Sequence, residues 1–155
     1  MRRGHWDSSL LLALWTRRPP RMNPPEVVRW VSRNGEDGDC AIAAIALATG
    51  ASYEEALAAA VKVQEAAVTH GMVWRDIKAT VRRLGFSCQA KRKYNIRSDS
   101  GILDCKAGRR EHVVYLWAGR IIEPMLQRRT LHLDPEAYLK GEGWTAGMLL
   151  TLKRD

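Results

Sequence analysis

The stretch CAIAAIALATG, residues 40–50, constrains the chain more than any other. Ala, Ile and Leu follow one another without a polar break. Asp39 precedes them, where a side-chain oxygen can accept from first-turn N–H groups, and Gly50 suits the left-handed position that ends helices. The pattern predicts a helix that opens on Cys40. A thiol in a first turn feels the positive end of the helix dipole, which favours thiolate over thiol. Placement alone does not make Cys40 a nucleophile, since a lone cysteine commonly serves as a small core hydrophobe.

Further elements follow along the chain. EVVRWVSR, residues 26–33, alternates as a strand, and the turn-rich NGEDGD leads from it to Cys40. SYEE forms a capping box, with Ser52 as cap and Glu55 three residues on, and starts a second helix running towards Gly71. A third helix, VWRDIKATVRRLG, sets Val73, Ile77, Val81 and Leu84 on one face. FSCQAK, GILDCK, EHVVYLWA and RIIEP then read as strands, LDPEAYLKG as a short helix capped by Asp134, and MLLTLKR as a last strand. Helices first and strands after predict an α+β domain, its N-terminal helical half packed on an antiparallel meander.

Composition limits the function classes. A chain of 155 residues, 46% hydrophobic, is about one domain long and can bury a core. No stretch reaches the roughly 18 apolar residues of a membrane span. Cys40, Cys88 and Cys105 are odd in number and lack C-x-x-C spacing, so they read as free thiols of a reducing, cytoplasmic setting. No histidine pairs with a cysteine at metal-ligand spacing, and no metal or organic cofactor is expected.

The net charge of +8 raises the question of nucleic acid. Residues 1–21 hold five arginines against one aspartate, so half of the excess sits in a short tail. The remainder is spread over the rest of the chain without an aromatic-interleaved basic stripe, which argues against nucleic acid as the partner. Residues 1–23 read as a basic appendage. Their LLLALW core is shorter than a signal's apolar region and runs into arginines, and four prolines follow. Residues 24–155 form the domain.

A cysteine nucleophile needs a base within hydrogen-bond reach and a third group to orient that base. His112 opens the strand HVVYLW, where alternation places it with Val114 and Leu116. Glu123 ends the next strand, just before Pro124. If AGR, residues 118–120, turns the chain, His112 and Glu123 fall near the open end of one hairpin.

The order of these features, an acidic loop, D-C at a helix start, two more helices and then HVVYLWAGRIIEP, resembles the papain-like cysteine peptidases of the bacteriocin-leader type, which clip double-glycine leaders. The resemblance covers about residues 26–153 and is strongest at 34–50 and 110–124. It implies a papain-like fold and a cytoplasmic hydrolase of a peptide or protein substrate, with a small residue before the scissile bond. Cys40 would be the nucleophile, His112 the general base and Glu123 the group that orients the imidazole. The family usually has glutamine six residues before the cysteine as an oxyanion donor, and Asn34 stands there, one methylene shorter. Its third member is usually aspartate, and Glu123 is one methylene longer. These two departures keep open a weakened, peptide- or protein-binding module of the same fold, and the same triad also serves acyl transfer. A basic accessory protein for nucleic acid is supported by charge alone.

Overall fold

In a computed structural model, the structure describes residues 39–67, 71–125, 128–132 and 134–155. The basic appendage, the expected strand at 26–33 and Asn34 lie outside the described residues. Four helices and six strands are seen among the described residues: α1 (Cys40–Thr49), α2 (Tyr53–Val63), α3 (Trp74–Arg83), β1 (Phe86–Lys91), β2 (Gly101–Ala107), β3 (Arg110–Trp117), β4 (Arg120–Met125), β5 (Arg128–His132), α4 (Pro135–Glu142) and β6 (Thr145–Arg154). The α+β expectation, helices packed on an antiparallel sheet, is met.

The helix starting at Cys40 forms as expected, and every residue from Ala41 to Thr49 is buried. A helix that is apolar all round has no face for water and must lie inside. α1 accordingly packs on β3 and β4 with one side and against α2 and α3 with the other. Its alanines let these neighbours approach closely, and Gly50, at φ 76°, ends it in the left-handed conformation. Asp39 departs from expectation. It occupies the cap position but makes no side-chain cap hydrogen bond. Its buried carboxylate instead accepts from the Tyr53 hydroxyl at 3.0 Å, a partner supplied by the next helix.

The capping box of α2 is complete: Ser52 Oγ accepts from the Glu55 N–H at 3.1 Å, and Glu55 Oε2 accepts from the Ser52 N–H at 2.9 Å. The helix stops at Val63, short of Gly71, because Gln64 is extended. In α3, Ile77 and Val81 are buried as expected, while Val73 precedes the helix and is 59% exposed.

The sheet is antiparallel but is not the expected meander. Its order is β1-β6-β2-β3-β4-β5, so the last strand enters between the first two. The chain between β1 and β2 crosses β6, and Tyr94 within it donates to the Gly147 carbonyl at 2.6 Å. β5, which sequence patterning did not reveal, pairs with β4, and β4 runs on past Glu123 to Met125. The sheet carries two cores. Ile102, Val113, Tyr115, Trp117, Ile122 and Leu150 face the three N-terminal helices. Leu103, Cys105, Val114, Leu116, Ile121 and Leu149 face α4 with its Tyr138 and Leu139.

Candidate active site

The β3–β4 hairpin sets the geometry. Its turn is Ala118–Gly119, both at positive φ (46° and 79°), the combination that matches the twist of a two-residue hairpin. A side chain at Gly119 would also meet the Arg97 carbonyl oxygen at 2.1 Å, so glycine is required there. The ladder runs from Trp117↔Arg120 to Tyr115↔Ile122. Continuing that register would oppose Val113 to Pro124, which has no N–H to donate. Beyond the ladder the strands are joined by side chains: His112 Nε2 and Glu123 Oε1 are 2.5 Å apart.

Both groups are largely withdrawn from water, with side chains 12% and 11% exposed. Cys40 lines the same cleft as this imidazole and acts on its protonation. With Nε2 taken by Glu123, Nδ1 is the nitrogen left for a second partner. Burial pulls the His112 pKa down, but hydrogen bonding to Cys40 and to Glu123, together with their negative charges, pushes it up to about 10. The ring therefore holds its proton beside the Glu123 carboxylate. A buried charge is tolerated when it is paired and hydrogen-bonded, and here Glu123 supplies both.

The surroundings hold the ring in place. The Trp144 ring stacks on His112, centroids 5.4 Å apart and 23° from parallel, and the Arg110 guanidinium lies over the Trp144 ring, 4.7 Å from its centroid. Trp144 is itself fixed by its backbone N–H, which donates to the Leu139 carbonyl at 2.8 Å as α4 ends on Gly143. Tyr138 of α4 faces Glu123, and burial followed by that carboxylate raises its phenol pKa. Cys105, directly opposite His112 in the β2–β3 ladder, is fully buried. Burial first, then the charges of Asp104, Glu123 and Cys40, push its thiol up to about 12, so it stays protonated beside the reactive pair.

A cleft of about 530 Å³ opens on Cys40 and His112 between the helical layer and the end of the sheet. Its walls include Gln64 after α2, Met72, Val73 and Trp74 at the start of α3, and Asp104, Lys106 and Met148 from the sheet. Of the four residues singled out by sequence, the structure brings Cys40, His112 and Glu123 together, and Asn34 lies outside the described residues. Trp144, Tyr138, Gln64 and Trp74 were missed, since no local pattern marks a residue whose role comes from distant elements. Among the described residues no group of His, Cys, Asp and Glu could hold a metal ion, and no helix is long and apolar enough to cross a membrane.

Chemically, the arrangement sets a thiol and a protonated imidazole, the latter paired with a carboxylate, on the wall of one cleft. A search of family models, curated proteins and solved structures found no match to the chain.

Proposed function

We propose that the protein is a papain-like cysteine hydrolase that cleaves a peptide or amide bond. The observation that carries the reading is the His112 ring, bonded to Glu123 at 2.5 Å and lining one cleft with Cys40. The Cys40 sulfur attacks the carbonyl carbon, and its S–C bond forms as the carbonyl electron pair moves onto oxygen. The Cys40 backbone N–H, unpaired within the first turn, is placed to stabilise that oxyanion, with the Asn34 amide as the donor implied by the resemblance. The C–N bond then breaks, and the amine leaves with the proton carried by His112. Water, giving its proton to His112, hydrolyses the thioester and returns Cys40. Glu123 keeps the ring oriented and stabilises its charged form, as the third member of such triads does. An amine in place of water would give acyl transfer with the same residues.

The test is alkylation by iodoacetamide as a function of pH, followed residue by residue by peptide mass analysis. At about pH 6, where an ordinary thiol of pKa about 8.5 is almost wholly protonated, Cys40 should react at least about tenfold faster than Cys88 or Cys105. His112→Ala should remove that advantage. Equal labelling of the three cysteines in the folded protein would reject the nucleophile and leave a binding module.

A further inference from the structure

β1 lies at one edge of the sheet, with β6 as its partner on the inner side. Which of its backbone groups face outward follows from the ladder. The Asp155 N–H donates to the Gly85 carbonyl at 3.1 Å, which makes Gly85 and Asp155 a hydrogen-bonded pair. In an antiparallel ladder such pairs alternate with pairs whose N–H and C=O groups point away from each other. Ser87, Gln89 and Lys91 therefore bond to β6, while Phe86, Cys88 and Ala90 turn their N–H and C=O groups to the open side. The neighbouring strand agrees: the carbonyl of Leu150, the residue opposite Ala90, lies over Gly101 of β2. Among the described residues nothing pairs with these outward donors and acceptors.

An open edge invites a second strand, and proteins blunt it with a proline, a bulge or a charge in its middle. β1 has none of these: its register with β6 is unbroken, and Ser87, Cys88, Gln89 and Ala90 are uncharged. Charge is gathered at the two ends instead. Arg82 and Arg83 lead into β1 with Arg154 opposite Phe86, and Lys91, Arg92 and Lys93 close it. All six are exposed, and among the described residues none is in an ion pair. Residues 82–93 hold five cations and no acid, and residues 149–155 add two cations against Asp155. A basic excess that is thin along the sequence is concentrated by the fold at this edge.

What these features require together sets the occupant. A row of alternating N–H and C=O groups needs a partner that carries both at strand spacing, which a peptide backbone does and a phosphodiester backbone does not. A second copy of β1, laid in either direction, would set cationic ends against cationic ends. We propose that the β1 edge is a docking site for an extended acidic segment of a partner protein. The segment adds a strand to the sheet, and its carboxylates meet the cations at the two ends. The edge is separate from the cleft of Cys40 and His112, since β6 and β2 lie between β1 and β3, and it does not rest on the hydrolase reading.

The test uses the full chain carrying Cys40→Ala, so that a peptide stays intact whatever the cleft does. The probe is N-acetyl-Glu-Glu-Thr-Val-Thr-Val-Glu-Glu-amide, and the readout is amide hydrogen exchange resolved by residue. At saturating peptide, exchange at Phe86, Cys88 and Ala90 should slow at least about tenfold, while Ser87 and Gln89, already bonded to β6, should change less than about twofold. Cys88→Pro removes one outward donor and leaves the β6 ladder intact, as an edge strand allows, and should weaken binding at least about fivefold. A second arm needs no variant of β1. The same peptide methylated on its four central nitrogens keeps its charge and loses its donors, and it should bind at least about tenfold more weakly. Arg92→Glu with Lys93→Glu should weaken the parent peptide about fivefold at low salt, and the difference should shrink at about 0.5 M salt. A methylated peptide that binds as well as its parent would show charge attraction alone and overturns the proposal. Protection of the three amides by an oligothymidylate instead of the peptide assigns the edge to nucleic acid, and protection by rising protein concentration alone assigns it to a second copy. Either result also overturns it.

Discussion

The two faces of the sheet solve opposite problems. The face under α1, α2 and α3 is almost wholly aliphatic and aromatic, built on a helix whose residues 41–49 are all buried. The face under α4 holds Cys105, Glu123 and Tyr138 among its leucines, with His112 at its open end stacked on Trp144. The first face needs only shape and apolarity. The second keeps the His112–Glu123 pair out of water, which is tolerable only because the two are hydrogen-bonded to each other and Glu123 lies against Tyr138. Apolar packing and buried polar groups are thus divided between layers, and the start of α1 is where they meet: Cys40 packs against the apolar layer and lines one cleft with His112.

The largest expected effect lies on the apolar face. Ile45→Ala removes a fully buried side chain from the centre of α1 and should cost about 2–5 kcal/mol in denaturant unfolding. Under conditions where the variant remains folded, Cys40 should still outreact Cys88. Loss of that selectivity at full folding would show that the two layers are not separable.

The polar face should reveal itself through pH. The His112 pKa is pushed up to about 10 in the folded protein, against about 6.5 for an ordinary imidazole as in the unfolded chain. A raised folded pKa means that the folded state holds the proton more tightly. Its contribution to stability is therefore complete below about pH 6.5 and is lost as pH rises to about 10. Urea unfolding from pH 6 to pH 10 should show stability falling across that window, with a shallower fall in Glu123→Gln, which removes the carboxylate bonded to the ring. A profile that is flat, or that rises with pH, would contradict the paired imidazolium. Ile45→Ala should lower the curve without changing its slope, because it touches no titrating group.

The smallest effect sharpens the boundary between the layers. Tyr53→Phe removes the hydroxyl that donates to Asp39 at 3.0 Å, just before Cys40. It should cost about 1 kcal/mol of stability and slow Cys40 alkylation modestly, since the start of α1 loses a tether but keeps its buried helix. A loss of reactivity as large as that in His112→Ala would mean that Asp39 takes part in the chemistry rather than in positioning.

Sequence by itself determined what depends on neighbours along the chain. The polar-free run after Asp39 made α1 a helix, Ser52 and Glu55 began α2, and Asp134 with Pro135 began α4. The short span AGR sufficed to fold β3 back on β4, and with it to bring His112 and Glu123 to one end of a hairpin. Tertiary structure decided what depends on partners far away in the chain. Asp39 looked like a cap, yet it found a better donor in the buried Tyr53 hydroxyl, which no local spacing reveals. β6 entered the sheet between β1 and β2 rather than at its edge, because two ladders then satisfy its backbone where an edge would satisfy one. That entry follows directly after Trp144, whose ring covers His112, and it carries Met148 into the cleft. Gln64 and Trp74, ten residues apart, meet the same cleft only because α2 stops at Val63 and α3 starts at Trp74. Hydrogen bonds close to a residue in sequence are written in its spacing. The burial that raises the value of a charge or a polar atom is a property of the assembled layers, and only the fold supplies it.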